Sequence, residues 1–115
     1  ALPEQAVREF LDKHIVDEEA VAEERSRKLK VFEEELAGLA ESPDSGSPEA
    51  LHVEALRKVL DENYEAAMDL LLELMRKDRA YGEDAGRRTL LMVFDMLGDD
   101  PRVGQYRRRM TNLLY

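Results

Sequence analysis

From Tyr64 to Lys77, apolar side chains recur every three or four residues: Tyr64, Ala67, Met68, Leu71, Leu74 and Met75, with Leu70 and Leu72 widening the stripe. That spacing places them on one face of an α-helix, whereas a strand needs alternation with a period of two. A helix so apolar on one side has to be covered by others, so the spacing predicts the central, most buried element of the fold here. The rest of the chain reads the same way. Charged residues make up 37% of it and aromatics 6%, with good helix formers prominent, a balance that favours helix over sheet. The expected fold class is all-α: antiparallel helical hairpins followed by a terminal amphipathic helix.

Breakers divide the chain into further helices. Pro3-Glu4 opens a short one whose stripe is Val7, Phe10, Leu11, His14 and Ile15. From Asp17 to Glu41 a long, charged helix carries the thin stripe Val21, Leu29, Phe32, Leu36 and Leu39, so its first half should be solvated and its second half packed. Residues Ser42 to Ser47 form the clearest break, because Pro and Gly end helices and short polar side chains compete for backbone hydrogen bonds. Ser47-Pro48 then supplies an N-cap and first-turn pair for a helix through Leu51, Ala55, Leu56, Val59 and Leu60, which turns at Asp61-Glu62-Asn63. Gly82 and Glu83-Asp84 mark another break, before a helix with Leu90, Leu91, Phe94 and Leu97 that stops at Gly98. Asp100-Pro101 starts the last helix, with Val103, Tyr106, Met110, Leu113 and Leu114 on one face. The expected organisation is a linker-like amphipathic helix and long charged helix over 1–41, a flexible loop over 42–47, and a helical domain over 48–115.

Charge is unevenly spread. The net −9 comprises −8 over residues 1–49, −5 over 50–101 and +4 over 102–115, where four arginines meet no acid. An acidic body opposes polyphosphate binding, and one small arginine cluster without a basic groove does not overrule it, so nucleic acid is not an expected partner. No apolar run approaches the roughly 20 residues that span a bilayer, and no membrane role is expected. With no cysteine, the chain carries no disulfide and no thiolate site. Its start at Ala1 instead of Met suggests a processed product or an excised fragment.

The sequence offers little for catalysis. His14 and His52 are the only histidines and stand far apart, with no second ligand at metal spacing, so both read as structural or solvent-facing and no metal is expected. The serines lie mostly in the 42–47 loop, a poor platform for a nucleophile. Acidic clusters such as Glu33-Glu34-Glu35 lack a calcium-loop pattern, and the glycines at 82, 86, 98 and 104 lack phosphate-loop spacing. Neither an enzyme nor a cofactor is expected. Among the five methionines, Met68 and Met75 fall on the central stripe, while Met92 and Met96 lie off the Leu90–Phe94–Leu97 face and suit an exposed, adaptable binding surface. Arg107, Arg108 and Arg109 suit either partner docking or stabilisation of the last helical turns through the macrodipole.

Two helices joined by a tight turn at Asn63-Tyr64-Glu65-Ala66-Ala67, with small residues at Ala55 and Ala67, resemble one tetratricopeptide repeat unit, although Glu54 and Arg79 stand where the repeat usually has Leu and Pro. A more specific resemblance rests on Leu71-Leu72-Glu73-Leu74-Met75-Arg76-Lys77-Asp78, Asp84-Ala85-Gly86-Arg87-Arg88, Phe94-Asp95-Met96-Leu97-Gly98 and Tyr106-Arg107-Arg108-Arg109 to Leu113-Leu114-Tyr115. In order and spacing these are similar to the carboxyl-terminal end of the YbbN/CnoX family of thioredoxin-like co-chaperones, and Leu2 to Leu11 is similar to the segment after that family's thioredoxin domain. The resemblance implies a cytoplasmic protein with a thioredoxin-like domain before Ala1, which holds unfolding clients and passes them to a chaperonin. The family often has further helical repeats where this chain has only its charged helix.

The expected function is therefore a non-catalytic interaction domain that binds clients or docks to a chaperonin. Its expected contact residues are Val103, Tyr106, Met110, Leu113, Leu114 and Tyr115 as apolar anchors, with Arg107, Arg108 and Arg109 steering toward an acidic rim. The alternative is a dimerisation module whose helices pair two chains and so place two thioredoxin-like domains.

Overall fold

The computed structural model describes residues 18–41 and 43–114. The helix expected over Val7 to Ile15 lies outside them, as does Tyr115. Five helices follow in order: α1 Glu18–Ala37, α2 Pro48–Leu60, α3 Tyr64–Lys77, α4 Ala85–Leu97 and α5 Pro101–Leu114, with no strand among the described residues. The fold is all-α.

Local chemistry sets the helix ends. The Ser47 hydroxyl accepts from the Ala50 amide at 3.1 Å and Pro48 fills the first turn of α2, while Asn63 caps α3 through the Ala66 amide. Asp100 accepts the Arg102 amide at 2.9 Å and holds the Arg102 guanidinium in a two-oxygen fork, so α5 starts from a charge-stabilised cap. Between α3 and α4 the chain takes an unusual course: Gly82, Glu83 and Asp84 all have φ near +60°. Two non-glycine residues in the left-handed region cost on the order of 1 kcal/mol each. Arg88 offsets part of that cost by donating to the carbonyls of Gly82 at 2.8 Å and Glu83 at 2.9 Å.

The core runs through all five helices and centres on α3, whose Ala67, Met68 and Leu71 are fully buried, with Leu72, Leu74 and Met75 nearly so. Gly86 lets α4 approach α3 closely: a β-carbon there would lie 2.9 Å from Met75 Cγ and 3.4 Å from the Leu71 carbonyl oxygen. The expected core face of α4 needs one correction. Leu91 points outward at 38% exposure, and Val93 joins Leu90 and Phe94 inside, because the face set by Gly86 continues through Leu90, Val93 and Phe94. Thr89 is wholly buried and its hydroxyl has no hydrogen-bond partner among the described residues. Since an unsatisfied buried hydroxyl is costly and valine has the same shape, Thr89→Val is expected to raise stability by about 1 kcal/mol in urea unfolding.

Cross-helix contacts fix directions. Arg25 lies 3.4 Å from Glu62 and Glu35 lies 3.2 Å from His52, so α1 runs antiparallel to α2. Lys28 reaches Asp95 at 3.3 Å while Glu35 feels the charge of Arg88, so α1 also runs antiparallel to α4. Helices α2 and α4 are therefore parallel to each other. By the same reasoning α3 and α5 are parallel, since Asp69 meets Tyr106 near their starts and Arg79, just past α3, meets Leu113 near the end of α5.

Candidate protein-binding surfaces

Helix α5 is docked. Val103, Tyr106 and Met110 are buried, and Leu113 and Leu114 are half-buried against the core. Tyr106 is anchored at both ends of its side chain: the ring is in the core and the hydroxyl donates to Asp69 Oδ1 on α3 at 2.7 Å. Burial, then the Asp69 carboxylate, push this hydroxyl up to about 12, so it remains a donor throughout the physiological range. Arg79 donates to the Leu113 carbonyl at 2.9 Å, closing the far end of the helix.

Val103, Tyr106 and Met110, expected as partner anchors, thus serve the chain's own core. The physical reason is that α3 offers an apolar flank beside α4, and the same stripe that would meet a partner covers it. The arginines have the opposite fate. Arg107, Arg108 and Arg109 are all exposed. The Arg107 guanidinium lies 5.5 Å above the Phe94 ring, and that of Arg109 lies 4.9 Å above the Tyr106 ring and 3.7 Å from Asp69. Arg108 lines a shallow depression of about 240 Å³ with Gln105, Arg109 and Asn112. The macrodipole explanation does not suit them, because they sit in the middle of α5 and its last turn holds no base. Between α3 and α5 runs a groove of about 430 Å³, floored in part by Leu72 and Leu113, in which Arg76 and Arg109 face Asp69 and Glu73.

A second surface lies between α1 and α4. It is a mostly apolar groove of about 340 Å³, lined by Val31, Phe32, Leu91, Met92 and Met96 and bridged by the Lys28–Asp95 pair. Val31 and Leu91 are among the few exposed large apolar side chains. Met92 and Met96, expected at an accessible surface, are partly buried along this groove.

The third arrangement was invisible to local reading. His52 is buried and joins three parts of the fold: its Nδ1 lies 3.1 Å from the Tyr81 hydroxyl in the α3–α4 connection, and its Nε2 faces Glu35 of α1. The imidazole, aided by Arg88, holds the Glu35 carboxyl below its ordinary range, against partial burial that acts the other way. A carboxyl depressed in the folded state contributes stability above its unfolded value near 4.5 and loses it as pH falls through the lower folded value. The difference in melting temperature between the native chain and Glu35→Gln is therefore expected to persist down to about pH 4.5 and to close as pH falls below it.

Among the described residues, no group of three or more acidic or histidine side chains is placed to hold a metal ion, and no helix is long and apolar enough to cross a membrane. What the fold defines is a class: packed helical hairpins that expose ridges and grooves. A family model described as tetratricopeptide repeat matches residues 33–115, most of the chain, and the chain belongs to that family. Domains of this kind typically mediate protein–protein interaction. No curated protein and no solved structure matches the chain.

Proposed function

We propose that this chain is the protein-binding helical region of a thioredoxin-like co-chaperone, which docks to a chaperonin through α5 and holds unfolding clients. The observation that carries the reading is the division of labour on α5: its apolar face is committed to the core while Arg107, Arg108 and Arg109 project from an otherwise acidic chain. Such a row suits an acidic rim on a partner, and the adaptable Met92–Met96 groove suits apolar client segments. A cytoplasmic setting accompanies this reading. The exposed apolar strip of Val31 and Leu91 also supports the second reading, a homodimer that pairs two attached domains.

Truncating α5 is a poor test because it would strip Val103, Tyr106 and Met110 from the core. Charge reversal at Arg107 and Arg108, which make no ion pair among the described residues, avoids this. In titration calorimetry against a purified chaperonin, Arg107→Glu combined with Arg108→Glu is expected to weaken binding at least about tenfold and to flatten its salt dependence. Unchanged binding by the folded variant would overturn docking through α5. A dimer in sedimentation, with no chaperonin affinity in the native chain, would favour the second reading.

A further inference from the structure

Helices α1 and α4 share an outward face with an apolar centre and charged corners. Val31 is 47% exposed and Leu91 38%, and Met92 and Met96 lie partly buried beside them. On α1, Arg27 and Glu34 stand one helical turn before and after Val31, on the same side of the helix. On α4, Arg87 and Asp95 stand one turn before and after Leu91 in the same way. All four are exposed; among the described residues Arg27, Glu34 and Arg87 make no ion pair, while Asp95 meets Lys28. Because Lys28 reaches Asp95 at 3.3 Å and the two helices are antiparallel, one end of the face carries bases on α1 beside an acid on α4. The other end carries Glu34 on α1 and Arg87 on α4. The signs therefore alternate around the Val31–Leu91 centre.

A face of this kind is complementary to itself. A two-fold axis lying in the face turns one copy over onto another and lays each base on an acid, whereas corners of a single sign would repel their own copy. The apolar strip then meets its like at the middle of the contact, where water is most fully excluded. Of the two axes that satisfy the charges, the one perpendicular to the helices also satisfies the rest of α1. It pairs α1 with the α1 of the second copy in antiparallel fashion and sends their acidic starts, with Glu23 and Glu24, to opposite ends of the assembly. An axis parallel to the helices would set those starts side by side, at the cost of like-charge repulsion.

We propose that the α1–α4 face is a homodimer interface: a second copy of this chain docks on Val31 and Leu91, with Arg27 and Glu34 forming reciprocal ion pairs between antiparallel α1 helices. The apolar strip is small, so the contact belongs to the weak, transient class, and its charges fix register more than they add strength. This inference rests on the dimer reading given above and not on chaperonin docking, which depends on α5.

Sedimentation equilibrium of the full chain from about 1 µM to about 1 mM tests it. The native chain is expected to pass from monomer to dimer within that range. Arg27→Glu and Glu34→Arg, each alone, bring like charges together twice in every dimer and are expected to weaken association at least about tenfold. Mixed in equal amounts, the two variants restore both pairs across one interface, so the mixture is expected to associate about as tightly as the native chain. Both positions are exposed, and circular dichroism is expected to show both variants folded. A native chain that stays monomeric throughout, whether the strip is bare or a different protein covers it, overturns this proposal and the dimer reading together. A native dimer that both variants leave intact, or whose loss the mixture does not repair, puts the contact on another surface: the dimer reading then stands and this proposal falls.

Discussion

Leu71→Ala is expected to lower the unfolding free energy by about 3–5 kcal/mol, the upper part of the range for a large-to-small change in a core. Leu71 is wholly buried in the middle of α3, the helix against which α2, α4 and α5 all pack. Its backbone adds to the constraint: the Leu71 carbonyl lies at the close crossing with Gly86, so α4 cannot settle further inward to fill the space left by the lost side chain. A cavity that cannot collapse carries the full penalty. With total stabilities of about 5–15 kcal/mol for domains of ordinary size, the variant should sit near the edge of folding at 37 °C. Urea unfolding followed by circular dichroism measures it, and a loss below about 1 kcal/mol would mean that α3 is not the centre of the core.

Phe32→Ala is expected to cost about 3 kcal/mol, but of a different kind. The side chain is 1% exposed, yet the helix carrying it has no other buried residue among those described. The loss should therefore fall on the attachment of α1, not on the unfolding of the hairpins. Native-state hydrogen exchange separates the two cases: amides of Leu29 to Leu36 should lose protection by about two orders of magnitude, while those of Met68 to Leu74 keep theirs. Equal loss in both segments would show that α1 and the hairpins unfold as one unit.

The periodicity of the sequence was enough to place the last four helices, since the stripes from Tyr64 to Met75 and from Val103 to Leu114 are spaced for one face, and Ser47-Pro48 and Asp100-Pro101 are start signals read directly from residue type; the long charged helix, expected to reach Glu41, ends at Ala37. The face of α4 was less legible. Leu90, Leu91, Phe94 and Leu97 are equally apolar, and the close approach at Gly86, a tertiary fact, selects Leu90 and Val93 and turns Leu91 outward. Whether α5 was docked or free could not be read from its amphipathicity, because the same face serves a core or a partner. The contact that answers it, Tyr106 to Asp69, joins residues far apart in sequence. His52 shows the same limit: nothing near it in the chain announces Glu35 or Tyr81. The tetratricopeptide likeness was visible in Asn63 to Ala67, and the family match over residues 33–115 extends it well beyond that single unit.

The left-handed run at Gly82–Asp84 bears on how the molecule can move. A connection that follows ordinary turn geometry can flex between neighbouring backbone wells, but three successive residues held at positive φ, with two of their carbonyls tied to Arg88, have few neighbouring wells to visit. The connection between α3 and α4 is therefore a stiff spacer, and it fixes how α4 is set against α3.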